Sequence, residues 1–141
     1  MNFKNKKFLK INKINRINVK NGDVFKFLDR KSNFYSKFGE IYFSKIKYNK
    51  TKCWKLHTKM TMNITVPIGK VKFVFVNLEN NLIDTCIIGE NNYYILQVLP
   101  GILFGFKGIS KKENLIANFS NIKFQNNESK NFDKNFYNYN W

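Results

Sequence analysis

His57 is the only histidine in the chain, and it is the one side chain whose ordinary pKa would place a proton transfer near neutral pH. It sits in Lys55-Leu-His-Thr-Lys-Met-Thr-Met-Asn-Ile-Thr-Val-Pro-Ile-Gly69. Read with the two-residue period of a strand, Lys55, His57, Lys59, Thr61, Asn63 and Thr65 share one face, and Met60, Met62, Ile64 and Val66 share the other. A base beside ammonium and amide groups can remove a proton from carbon and hold the negative charge that develops. A lane of this kind needs water or hydrogen-bond partners, so it belongs in a wet pocket or on the solvent face of a sheet.

Other chemistries have no residues to carry them. Cys53 and Cys86 are the only thiols. They have no CxxC spacing and no Cys/His pair, which predicts neither a zinc site nor a disulfide framework. With a single histidine, a metal-bearing site is not expected, and no cofactor is. Gly69, Gly101 and Gly105 read as turn or close-approach glycines, because no GxxxxGK[ST] run leads into a helix.

The elements that must position His57 read as strands. At 141 residues with 43% hydrophobic and 17% aromatic composition, the chain is long enough to bury a core as one domain. We place that domain at 21–141, behind a basic arm or edge strand at 1–20. Asn21-Gly22-Asp23 is a turn, followed by strands at Val24 to Leu28 and Glu40 to Tyr48. One long strand from Cys53 to Val66 and a second from Lys70 to Val76 read as a hairpin closed at Pro67-Ile68-Gly69. Leu78 to Asp84 reads as a loop. Short β segments follow at Thr85 to Ile88, Tyr93 to Leu99, Ile102 to Phe106 and Leu115 to Phe119. This spacing, without a helical period, predicts an all-β sandwich or barrel. The aromatic tail from Phe132 to Trp141 is expected to fold back onto the body or onto a partner subunit.

The net charge of +16 and pI near 9.9 suit an anionic partner. The basic residues are dispersed, however, and densest only at Lys4, Lys6, Lys7, Lys10, Lys13, Arg16 and Lys20. Lys, Asn, Ile, Phe and Tyr together are also what an A+T-rich coding sequence yields, so the charge alone does not mark a nucleic-acid surface. Lysines and asparagines interrupt every apolar run near the N-terminus. The most apolar stretch, Ile95 to Phe106, is too short to cross a membrane and contains Gln97, Pro100 and two glycines. A cytoplasmic protein with reduced thiols and no membrane partner is expected.

Several segments, in order, carry a family likeness. Glu40-Ile-Tyr-Phe-Ser, Trp54-Lys-Leu-His57-Thr-Lys-Met-Thr-Met-Asn63 and Val66-Pro-Ile-Gly69-Lys-Val-Lys-Phe-Val come first. Leu99-Pro100-Gly101-Ile-Leu-Phe-Gly105-Phe106-Lys-Gly108, Leu115-Ile-Ala-Asn118-Phe-Ser-Asn121, Glu128 and Tyr139-Asn-Trp141 follow. From Gly22 to Trp141 the chain resembles the small cupins related to dTDP-4-dehydrorhamnose 3,5-epimerase. The resemblance implies an antiparallel jelly-roll, a homodimer, and a nucleotide-diphosphate sugar as partner. It implies His57 as the base that removes the proton beside the 4-keto group of a 4-keto-6-deoxy sugar. Lys55, Lys59 and Asn63 are candidates for cradling the oxyanion or the diphosphate, with Phe104 a stacking surface and Asn118 a further substrate contact.

The chain also departs from that pattern. Trp54 stands where the family has an arginine, Phe104 where it has a second histidine, and the region of its catalytic tyrosine falls near Ala117. The acid is therefore open among Tyr42, Tyr48, Tyr93 and Tyr94. A sugar 3,4-ketoisomerase is the second reading, although the His-x-His pair of those relatives is His57-Thr58-Lys59 here. A cupin that binds a sugar nucleotide without turnover, and a β-barrel that binds single-stranded nucleic acid through Lys and aromatic side chains, are the others weighed.

Overall fold

A computed structural model describes residues 6–141; the first five residues of the expected basic arm, Lys4 among them, lie outside the described residues. The strands are β1 (Lys10–Lys13), β2 (Arg16–Ile17), β3 (Val24–Phe25), β4 (Glu40–Lys45), β5 (Thr51–His57), β6 (Met62–Ile68), β7 (Lys70–Asn77), β8 (Leu82–Gly89), β9 (Tyr94–Val98), β10 (Ile102–Gly108), β11 (Leu115–Ser120) and β12 (Ser129–Asn131). Among the described residues, helix is confined to single 3-10 turns at Asn126–Glu128 and Lys134–Phe136. Two five-stranded sheets, β1-β9-β6-β11-β4 and β12-β5-β10-β7-β8, face each other, and β2-β3 forms a separate ribbon. All the pairings between these strands are antiparallel, and the architecture is the expected all-β jelly-roll.

Alternation along the strands explains why the sheets face each other. In β7, Val71, Phe73 and Phe75 enter the main core, while Val74 and Val76 point to the outer face of their sheet. The main core is completed by Met62, Ile64 and Val66 of β6 and Leu96 and Val98 of β9. The outer face would be an exposed apolar surface, and the C-terminal tail covers it. Trp54, 1% exposed, meets Tyr137, Tyr139 and Trp141 with ring centroids 5.9, 6.4 and 5.2 Å away. Such aromatic pairs contribute about 0.5–1.5 kcal/mol each beyond the area they bury. The tail thus packs on its own body, which was one of the two expected outcomes. Close approach at Gly105 makes room for it, since a Cβ there would lie 2.9 Å from the Trp141 ring and 2.6 Å from Cys53.

Three sequence expectations are corrected. The stretch Cys53 to Val66 is not one strand: β5 ends at His57 in one sheet, and β6 begins at Met62 in the other. Between them the backbone bonds to distant groups instead of a ladder. Thr58 N–H donates to the Glu128 carbonyl at 2.7 Å, Met60 N–H to Glu128 Oε2 at 3.3 Å and Thr61 N–H to Asn121 Oδ1 at 2.8 Å. Consequently β6 and β7 are not a hairpin. The chain turns between sheets at Gly69, with φ of 78°, and β7 pairs with β8 and β10. The expected loop up to Asp84 is shorter, because β8 already starts at Leu82 and forms the true hairpin with β7.

Candidate functional site

A cavity of about 410 Å³ opens between the sheets, lined by Tyr42, Lys55, His57, Asn118, Met62 and Phe104, among others. His57 reaches it from β5 because it lies on the same inward face as Lys55, which pairs with the inward Phe104 of β10. The imidazole is 3% exposed and lies parallel to the Phe104 ring, centroids 6.0 Å apart at 17°.

Glu128 is the partner of that imidazole. β12 pairs with β5 in the register Ser129 to His57, which brings the preceding 3-10 turn against the imidazole. His57 Nδ1 and Glu128 Oε1 are 2.5 Å apart, and Glu128 is fully buried. A carboxylate accepts, so the proton in this bond sits on Nδ1, and Nε2 carries the free lone pair. Nε2 is buried without a hydrogen-bond partner. Burial pushes the imidazole pKa below 6.5. The bond to Glu128 and its charge push it back up, Lys55 pushes it further down, and the net direction is down. Near neutral pH the imidazole is therefore neutral, with Nε2 its unpartnered nitrogen.

Tyr42 and Asn118 stand on the other sheet. They are directly paired across β4 and β11, and both side chains line the cavity. Burial raises the Tyr42 pKa, more than the neighbouring Asn118 amide lowers it, which keeps the hydroxyl protonated. Its proton points at Met62 Sδ, 3.9 Å away, a weak acceptor. The other tyrosines do not line the cavity. Tyr48 is exposed, Tyr93 packs edge-on against Phe25 and Tyr94 packs against the main core.

The remaining candidates divide. Lys55 lines the cavity with its Nζ 5.1 Å from the Phe124 ring centroid. Phe104 also lines it, with its ring nearly parallel to the His57 imidazole. Lys59 and Asn63 do not share the site, correcting the single polar lane. Lys59 is exposed at the corner between sheets. Asn63 is buried on the opposite face of β6 from Met62 and Ile64, where it donates to the Phe34 carbonyl at 3.0 Å and accepts from Gln97 at 3.1 Å. Sequence reading missed Glu128 as the histidine's partner and Lys52 as a cavity residue. Glu128 was legible as part of the family-like segment order and as a lone acid in the Asn-rich stretch before the tail, but not as a partner of His57.

No protein-family model matches this sequence, and no curated protein matches it. Solved structures do. A dTDP sugar isomerase from Desulfovibrio desulfuricans superimposes with a TM-score of 0.88 at 26% identity, over 92% of this chain and 87% of that one. A dTDP-6-deoxy-D-glucose-3,5-epimerase from Legionella pneumophila, in complex with dTDP-4-keto-L-rhamnose, gives 0.78 at 14% identity over 90% and 73%. A sugar 3,4-ketoisomerase from Thermoanaerobacterium thermosaccharolyticum, in complex with TDP-4-keto-6-deoxyglucose, gives 0.73 at 10% identity over 86% of each chain. The fold is the cupin-like jelly-roll of these sugar-nucleotide enzymes, as the segment order implied.

Proposed function

We propose that this chain is an epimerase of a nucleotide-linked 4-keto-6-deoxy sugar. The observation that carries the reading is the buried, unpartnered Nε2 of His57 in an inter-sheet cavity, with Nδ1 fixed by Glu128. A ring C–H next to a ketone is acidic because the charge left by the proton moves to the ketone oxygen. His57 Nε2 takes that proton, and Glu128 stabilises the imidazolium that forms. Lys55, on the same strand face, places positive charge beside the developing enolate. Tyr42 then delivers its proton to the carbon, and the product has the opposite configuration there.

Inversion requires the base and the acid on opposite faces of the sugar. His57 and Tyr42 line one cavity from opposite sheets, which favours epimerisation over a ketoisomerisation run by one base on one face. Lys52 and Lys55, with the overall charge of +16, suit a diphosphate. We further propose a homodimer through β4. It is an edge strand whose outer side exposes Ile41 and Phe43, with Phe38 also exposed.

The test is proton NMR of a dTDP-linked 4-keto-6-deoxyhexose in deuterated buffer. Wild type should introduce deuterium beside the ketone and yield an epimer, and His57→Gln should do neither. Movement of the ketone to C3 would assign ketoisomerase. Binding without deuterium uptake would leave a sugar-nucleotide-binding cupin.

A further inference from the structure

Asn118 is 4% exposed, lines the same cavity as His57, and has an Oδ1 with no hydrogen-bond partner. An unpaired buried acceptor is costly, and native structures rarely leave one without a reason. Met62, Ile64 and Ile116 beside it carry no donor, and the donors that also line the cavity, Tyr42, Ser44, Lys52 and Lys55 among them, make no bond to it. The other end of the same amide lies toward Tyr42, with which Asn118 is directly paired across β4 and β11 and whose pKa it holds down. Because Oδ1 has no partner, the end of the amide turned to Tyr42 is the N–H, and the phenol oxygen is its acceptor. The Tyr42 proton, held only by the weak acceptor Met62 Sδ, is left available to a better one.

A ligand group meeting Oδ1 must be a donor. Ketone and phosphate oxygens are acceptors, whereas sugar hydroxyls donate. We infer that Asn118 reads one ring hydroxyl of the bound keto sugar through Oδ1 while its N–H holds the Tyr42 oxygen, so that one side chain both selects the sugar and aims the acid. This rests on the sugar-nucleotide reading above and adds a specificity residue to it.

The experiment measures binding by calorimetry and turnover by NMR for wild type and Asn118→Leu. The ligands are the parent dTDP-4-keto-6-deoxy sugar, analogues each lacking one ring hydroxyl, and the nucleoside diphosphate alone. Wild type should bind one of the analogues at least about tenfold more weakly than the parent, because the orphaned acceptor stays unpaired. In Asn118→Leu the parent should fall to that analogue's level and the preference should vanish, while affinity for the nucleoside diphosphate stays unchanged. Turnover of the variant should fall further than binding, since Tyr42 has lost its partner. The alkaline limb of its pH profile should move upward.

Wild type treating every analogue within about twofold of the parent would overturn the inference, a result that needs no variant to fold. So would an Asn118→Leu protein that keeps the preference, or one that loses nucleoside diphosphate binding to the same degree as sugar binding. Binding of the parent without deuterium uptake would sink the role of His57 and leave the hydroxyl test standing. A wild type that binds no sugar nucleotide would end both.

Discussion

Glu128→Gln isolates the chemistry of the histidine with almost no change in shape. The carboxylate accepts from two donors, His57 Nδ1–H through Oε1 and Met60 N–H through Oε2. Glutamine offers one oxygen and one NH2, so one of these contacts must change. If the oxygen stays on the imidazole, the NH2 opposes Met60 N–H inside a buried corner, and an unmet donor there costs about 1–3 kcal/mol. If the amide turns over, Met60 keeps its acceptor, the NH2 donates to Nδ1, and the histidine proton moves to Nε2. The second arrangement keeps Met60 N–H and Nδ1 paired and places the proton on Nε2, which has no partner in the protein. In that arrangement Nε2 loses its lone pair, and in the first the buried corner holds two opposed donors; either way the base is impaired. Loss of the charge that steadies the imidazolium adds to this, and general-base catalysis is worth about 10²–10⁴-fold. Deuterium uptake by the variant should fall by about 10²–10⁴-fold, with ligand affinity changed only a few-fold. Because the chain has one histidine, labelling with ¹⁵N-histidine reports the tautomer directly and tells the two arrangements apart. Uptake within about threefold of wild type would refute the Glu128–His57 couple as the source of the base.

Tyr42→Phe should keep deuterium uptake, which His57 performs from one face, but lose formation of the epimer by about 10²-fold or more; NMR separates the two, and an epimer formed at the wild-type rate would reassign the acid. The kcat/KM for uptake should fall as pH drops through the His57 pKa, which lies below 6.5, so the acid limb should stand at lower pH than for a free histidine. The same shift has a stability consequence. The unfolded chain binds a proton at His57 more readily than the folded one, so this contribution is complete above pH 6.5 and is lost as pH falls through the folded pKa; urea titrations of wild type and Asn118→Leu, which both retain His57, against His57→Gln should show that difference. Phe43→Glu, on the exposed side of the edge strand, should shift the protein to monomer in analytical ultracentrifugation without changing its circular dichroism, and an unchanged mass would place any dimer contact elsewhere.

The legible parts of this protein were those fixed by local rules. Alternation in Lys70 to Val76 and Tyr93 to Leu99, the turns at Asn21-Gly22 and Pro100-Gly101, and the missing helical period were sufficient for an all-β fold. Family-like segment order raised that to a jelly-roll and singled out His57. The polar lane failed because a two-residue period holds only while a strand continues, and the chain leaves one sheet for the other after His57. Nothing local marks that corner. Its backbone donors are taken up by Asn121 and Glu128, some sixty to seventy residues downstream.

Residue types alone therefore determined which group could act as a base near neutral pH and which layers of strand could bury an aromatic-rich core. Which nitrogen of that base is free, which acid fixes it, which tyrosine faces it and which lysines come near were decided by tertiary structure. Pairing of β12 with β5 and closure of the two sheets set those distances. Contacts between residues so far apart in the chain arise from packing, which no short-range pattern encodes.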